Sequence, residues 1–167
     1  MPVHSLNFNR GSPYLGCLIH CTGESTPEIK HRVSITRDCM MALGRNIWRS
    51  HIPVGTKLCL YNSCILPIFL YGTETWAVTA TAAKTFDSLD QRCLRRILNI
   101  HWTQRIANNE VRSRTQQPLL SDAVHSRCLR FFGHICRADP DQDHSRALYA
   151  STTGLPKHWR RRSGRPR

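Results

Sequence analysis

The sequence predicts a mainly helical fold: a helical bundle with a small N-terminal β-hairpin and a flexible, basic C-terminal tail. Three observations carry this expectation. Apolar residues recur at helical spacing through the middle of the 167-residue chain. The segment 13–22 (PYLGCLIHCT) is a short apolar run interrupted by glycine, which reads as a strand or hairpin. The residues from Ser151 onward (STTGLPKHWRRRSGRPR) are rich in glycine, proline and arginine and contain no acid.

Taken in order, the hairpin segment closes with a turn at Gly23. Ser25, Thr26, Pro27 and Glu28 then form a helix start. A hydroxyl can accept orphan amides there, proline suits the first turn, and an acid complements the positive helix end. Ile29, Val33, Met40, Leu43 and Ile47 follow at helical spacing and carry the helix to about Trp48; Ile52-Pro53 breaks it. A second helix is expected from near Thr56, with Leu58, Tyr61 and Ile65 on its buried face and Pro67 ending or kinking it. Residues 70–76 (LYGTETW) read as a turn holding two aromatics. A third helix runs from Thr79 or Thr81 to near Asn99. Phe86, Leu89, Cys93 and Ile97 line one side of it, and Lys84, Ser88, Arg92 and Arg95 another. Asn108 is an N-cap candidate for a short helix through Arg114, which Pro118 ends. Ser121 is expected to cap a helix to about Arg137, with Val124, Cys128, Phe131 or Phe132, and Ile135 as apolar positions. Arg127, Arg130, His134 and Arg137 fall along a separate stripe of that helix. Order is expected to fade beyond Asp139.

Hydrophobic residues make up 40% of the chain, enough for a core. The 24 basic residues against 11 acidic ones leave a formal charge of +13, which attracts polyanions. All the basic residues except Lys30, Lys57, Lys84 and Lys157 are arginines. Arginine forks onto phosphate and stacks on bases, so this bias favours nucleic acid over a generic basic surface. Residues 1–10 (MPVHSLNFNR) have no apolar stretch of the kind a secretory signal carries, so the eight cysteines are expected to be reduced thiols. The longest apolar run, 64–71 (CILPIFLY), is interrupted by Pro67 and falls well short of the ~20 residues a membrane span requires. An intracellular protein, nuclear or cytoplasmic, not secreted and without a membrane span, is the expectation.

Several segments together carry a family resemblance. Tyr14-Leu15-Gly16, Glu28-Ile29, Arg32, Leu43, Ile47 and Trp48 form a first block. Lys57-Leu58, Leu60-Tyr61-Asn62-Ser63, Leu66-Pro67, Leu70-Tyr71-Gly72 and Glu74-x-Trp76 continue it. Arg92-Cys93-Leu94-Arg95-Arg96-Ile97-Leu98, Trp102, Asn109-Glu110-Val111, Arg130-Phe131-Phe132-Gly133-His134 and Gly164-Arg165-Pro166-Arg167 complete it. In this order the set resembles the end of the palm, the thumb and the following C-terminal region of LINE-type (non-LTR) retrotransposon endonuclease–reverse transcriptases. The likeness covers nearly the whole chain from about Tyr14. It implies a palm-end β remnant at 1–24, thumb-like helices at 25–76, a basic helical C-terminal region at 77–138 and a flexible basic tail at 139–167. It also implies that the thumb helices hold a template–primer duplex and that the C-terminal region helps hold element RNA or target DNA.

One departure governs what the resemblance implies about activity. Such polymerases need adjacent aspartates to hold two metal ions at the primer hydroxyl. The family carries them in an aromatic-alanine-aspartate-aspartate motif upstream of this region, and the present sequence contains no Asp-Asp pair. With the endonuclease, fingers and most of the palm also missing from the resemblance, a truncated element copy or an incomplete reading frame is the expectation. The chain is therefore expected not to be an enzyme on its own.

Other chemistry is poorly supported. Asp139, Asp141 and Asp143 have calcium-loop spacing, but His144 stands where a glycine is needed and Ala150 where a bidentate glutamate is needed. Cys17, His20 and Cys21 cluster, as do Cys128, His134 and Cys136, without the paired spacing of a zinc finger. Cys93 and Cys128 lie on apolar helix faces, where cysteine behaves as a small hydrophobe. His101 beside Trp102, and His134 beside Phe132, read as packing or surface histidines. Trp48 and Tyr61 read as core; Trp76 and Trp102 are open between core and base-stacking roles.

The positive signal is therefore basic. Arg92, Arg95 and Arg96 form one row and Arg127, Arg130 and Arg137 another, with Arg160, Arg161, Arg162, Arg165 and Arg167 in the tail. The closing Gly-Arg-Pro is similar to minor-groove hooks, although Ser163 stands where an arginine is expected. The expected function is non-catalytic binding of RNA and/or DNA through phosphates, without cofactor or metal. An inert relic that binds nothing specific, and a small zinc-dependent adaptor, are the alternatives.

Overall fold

The computed structural model describes residues 12–19 and 23–153. The fold is mainly helical, as the periodicity predicts, with a two-stranded antiparallel hairpin at the glycine-interrupted apolar run. The chain forms two compact units, residues 1–128 and 129–167.

The described part of the first unit begins with β1 (Ser12–Tyr14) and β2 (Cys17–Ile19), paired with Tyr14 opposite Cys17. Leu15 (φ 47°) and Gly16 (φ 79°) are both left-handed, the conformation a two-residue hairpin loop requires. Glycine adopts it without cost, whereas leucine does not, so the turn must be held from outside. Arg32 donates to the Gly16 carbonyl, and the Tyr71 hydroxyl donates to the Leu15 carbonyl at 2.6 Å. Arg32 in turn lies 4.6 Å over the Tyr71 ring and pairs with Glu28 at 2.6 Å, and both members of that pair are buried. The second Glu28 oxygen accepts the Leu18 amide at 2.6 Å. Glu28 thus does more than complement a helix end: it anchors the hairpin to the first helix.

That helix, α1 (Thr26–Ala42), has Pro27 in its first turn as expected. Ser25 holds the N-cap position, but its hydroxyl caps no helix amide; it accepts the amide of Ala77 at 3.0 Å and so ties a distant loop to the helix start. The helix also ends earlier than the spacing suggests. After Leu43 the chain widens into a π-turn, Gly44–Trp48, that rotates Trp48 into the core. The indole N–H donates to the Met40 carbonyl at 2.9 Å. Buried Lys57 donates to the carbonyls of Trp48 (2.9 Å) and Ser50 (2.7 Å), a cation placed on the free carbonyls that close this turn.

Pro67 does not end the second helical stretch. α2 (Val54–Leu60) passes through a π-turn (Tyr61–Ile65) into α3 (Leu66–Leu70), with Pro67 in the first turn of α3. The wider turn accommodates a ring that lacks an N–H and would collide with the preceding turn of a regular helix. Gly72 (φ 74°) then reverses the chain; a Cβ there would stand 2.7 Å from Cys17 Sγ.

α4 (Ala80–Ile97) is the central helix, capped by Thr79, whose hydroxyl accepts the Ala82 amide at 3.2 Å. Phe86, Leu89, Cys93 and Ile97 are buried, as the predicted apolar side requires, and Leu94 is buried beside them. Phe69, Trp76 and Phe86 meet with ring centroids 5.4–5.7 Å apart, so Trp76 is core. Each fully buried side chain of this kind contributes ~1.5–3 kcal/mol relative to exposure. α5 (Asn108–Thr115) follows, but Asn108 lies inside the helix and does not cap it; its Oδ1 accepts from Arg95 at 2.9 Å.

α6 (Leu120–Cys136) begins one residue before Ser121. The cap is supplied from α4: Asp87 accepts the Ser121 amide at 3.0 Å and its hydroxyl at 2.9 Å. Asp87→Ala is therefore expected to cost about 1–2 kcal/mol, the usual worth of an N-cap, readable as a lowered urea midpoint with unchanged m.

The second unit carries a further helix beyond Asp139. α7 (Asp143–Thr153) forms where the tail is expected to begin. Asp143 complements its positive end, and Ala147, Leu148 and Ala150 are strong helix formers. Phe131 and Phe132 are exposed, not core. No described helix is long and apolar enough to cross a membrane.

Candidate nucleic-acid interface

The polar side of α4 is where the basic residues gather. Lys84, Arg92 and Arg95 line a groove of about 950 Å³ whose other wall is Asn108, Asn109, Arg112 and Ser113 of α5. Asp87 is the sole acid in this lining, and both its oxygens are taken by Ser121. Arg92 and Arg95 also line a second groove of about 660 Å³, together with Arg49, Arg96, Asn99, His101 and Trp102. No acidic residue borders it among the described residues. The two grooves thus share α4 as a wall, and cations face both.

Local rules explain why α4 stops where it does. Asn99 is left-handed (φ 55°), the Ile100 amide donates to the Arg95 carbonyl at 2.9 Å, and the Asn99 amide donates to the Arg96 carbonyl at 3.1 Å. This paired closure satisfies the last carbonyls, with Arg95 and Arg96 in the final turn complementing the helix dipole. Ile100 packs on the core, and the next four residues form a tight turn. The Gln104 amide donates to the His101 carbonyl at 2.9 Å, while the Gln104 side-chain oxygen accepts the His101 amide at 3.2 Å. Trp102 sits at the tip, 86% exposed.

The basic residues differ in how free they are. Arg95 is tied to the Ile106 carbonyl at 2.5 Å and to Asn108, and Arg96 donates to Met41 Sδ at 2.8 Å. The charged ends of Arg49, Lys84 and Arg92 form no ion pair or hydrogen bond among the described residues, so they stand open to an incoming anion.

Of the second predicted row, Arg127 lies in the first unit and is not among the residues that line these grooves. Arg127 pairs with Glu74 at 2.6 Å, which offsets its charge. The pairing carboxylate lies 53 positions away, out of reach of any helical spacing rule. Arg130 and Arg137 are exposed in the second unit. Arg160, Arg161, Arg162, Arg165 and Arg167 lie outside the described residues, as do His20 and Cys21. Conversely, sequence reasoning passed over Arg49 and Arg112 and left Trp102 open. Lys84 stood on the predicted polar side of α4, a signal sufficient to include it.

Beneath the grooves lies a buried polar cluster. The Tyr61 hydroxyl donates to Asp90 Oδ1 at 2.6 Å, and Arg112 Nη1 stands 2.7 Å from Asp90 Oδ2. That contact is an ion pair without hydrogen-bond geometry, and Oδ2 has no other partner among the described residues. Burial pushes the Asp90 carboxyl above its ordinary value, while Tyr61 and Arg112 pull it back in part. Burial, helped by the Asp90 charge, pushes the Cys93 thiol up to about 12. Cys93 is therefore protonated at neutral pH and is packing, not a nucleophile. Burial also raises the Cys128 thiol; its Sγ lies 3.2 Å from the Thr73 carbonyl. Among the described residues no three His, Cys, Asp or Glu side chains converge on a point that could hold a metal.

No protein-family profile, curated protein or solved structure matches this chain.

Proposed function

We propose that this chain is a non-catalytic nucleic-acid-binding module, corresponding to the thumb and post-thumb region of a LINE-type reverse transcriptase, that grips phosphates along α4. The observation that carries the reading is the pair of adjoining grooves in which Arg49, Lys84 and Arg92 present unpaired cations that outnumber the bordering acid, Asp87. Such an arrangement holds a polyanion along a track, because each cation neutralises one phosphate and releases its condensed counterion. The ordered motif set read in the sequence supports the family assignment. A nuclear or cytoplasmic compartment suits such a ligand.

Salt titration of binding tests this. With four or more phosphates contacted, log K should fall against log salt with a slope of about −3 or steeper, for single strands or duplex. Absent or salt-insensitive binding to both RNA and DNA would sink the proposal and favour an inert relic, as would the lack of a cooperative far-UV CD melt. Primer extension by the purified chain would overturn the non-catalytic part.

A further inference from the structure

We infer that Trp102 is a stacking platform for an unpaired base, so that the ligand seated in the groove beside it is single-stranded. The inference rests on the phosphate-binding reading above and narrows it to one class of nucleic acid.

Trp102 differs from the other tryptophans that the structure describes. Trp48 and Trp76 are buried, whereas the Trp102 indole is 86% exposed. A lone exposed apolar side chain is ordinary in itself. Here, however, the ring is presented by a turn stiffened through both the backbone and the side chain of Gln104, with His101 Nδ1 a further 2.9 Å from the Thr103 hydroxyl. That turn is set directly against the Asn99 closure of α4. The indole is thus held out on a short, cross-braced support at the rim of the groove that Arg49, Arg92 and Arg96 line. The His101 ring lies 5.5 Å away.

An aromatic face beside a row of phosphate-binding cations matches an unpaired nucleotide. A base in a duplex has both faces covered by its neighbours and offers only its edges. An unpaired base offers a whole face, and stacking on it tolerates any sequence. The electrostatic part of binding is common to both forms, so the stacking contribution is what separates them.

Fluorescence anisotropy with labelled oligonucleotides of about 12 nucleotides, a length within the usual site sizes, separates the two terms. The full chain is titrated with oligo-U, oligo-dT and a duplex of equal length, as wild type, Trp102→Ala and Trp102→Phe. Trp102→Ala should weaken binding to both single strands about tenfold, leave duplex binding within about twofold, and leave the salt slope unchanged because no phosphate contact is lost. Trp102→Phe should restore most of the loss. Equal losses on single strand and duplex, or no loss on any ligand, would overturn the inference while the wild type's steep salt dependence kept the phosphate reading intact. A wild type that bound none of the three would remove both.

Discussion

Replacing Arg49, Lys84 and Arg92 together with glutamine is expected to weaken nucleic-acid binding by on the order of 100-fold at low salt and to reduce the slope of log K against log salt by about 2 to 3. These three are the right choice because their charged ends carry no structural load among the described residues. Arg95 is not, since it supports the Ile106 carbonyl and Asn108, and Arg96 packs against Met41. Each lost phosphate contact removes ~0.7–0.9 from the slope, so the slope counts contacts independently of overall affinity. The substitutions lie on an exposed surface, and the melting temperature should stay close to wild type. An unchanged slope would show that the grooves along α4 do not carry the phosphate chain. The same experiment on Arg127→Gln should give a small effect, because Glu74 already offsets that charge.

Asp90→Ala is expected to be the most damaging single substitution at the site, costing about 3–5 kcal/mol in urea unfolding at pH 7. It strands the Tyr61 hydroxyl in the core and leaves Arg112, only 16% exposed, without its counter-charge. Asp90→Asn should cost distinctly less, since an amide oxygen can still accept from Tyr61. The pH dependence gives a second readout. Burial holds the folded-state pKa of Asp90 above its unfolded value, so folding favours the protonated form. Its contribution is fully present below the unfolded pKa of ~3.9 and is lost as pH rises through the higher folded value. Stability of the wild type should therefore carry a declining component on the alkaline side of pH ~4, and Asp90→Asn should remove it. A change under about 1 kcal/mol for Asp90→Ala, or an identical pH profile for Asp90→Asn, would show that the cluster is not under the strain that its burial implies.

Two residues of the groove lining also hold neighbouring elements in place. Arg112 both walls the groove and pairs with Asp90, so the stability of the core and the position of α5 are linked through one side chain. Asp87 does the same for α6, lining the groove while capping a helix 34 positions away. The Asp90 charge is offset by Arg112, whereas Asp87, held by the neutral donors of Ser121, keeps its negative charge and is outnumbered in the groove lining by Lys84, Arg92, Arg95 and Arg112. The grooves thus keep a net positive lining although the chain carries 11 acidic residues.

Local periodicity was enough to reveal α4 with its buried and basic sides, the mainly helical class and the row Arg92, Arg95 and Arg96, and a glycine within a short apolar run marked the hairpin. Such features are written within a few helical turns, where side chains three or four apart share a face whatever the rest of the chain does. The fate of Trp76 and Trp102, the pairing of Arg127 with Glu74, the cap that Asp87 lends to α6 and the passage of Pro67 through a π-turn were settled by packing. Each depends on groups that are remote in the chain, or on the room that neighbouring elements leave, and spacing along a sequence carries no record of either.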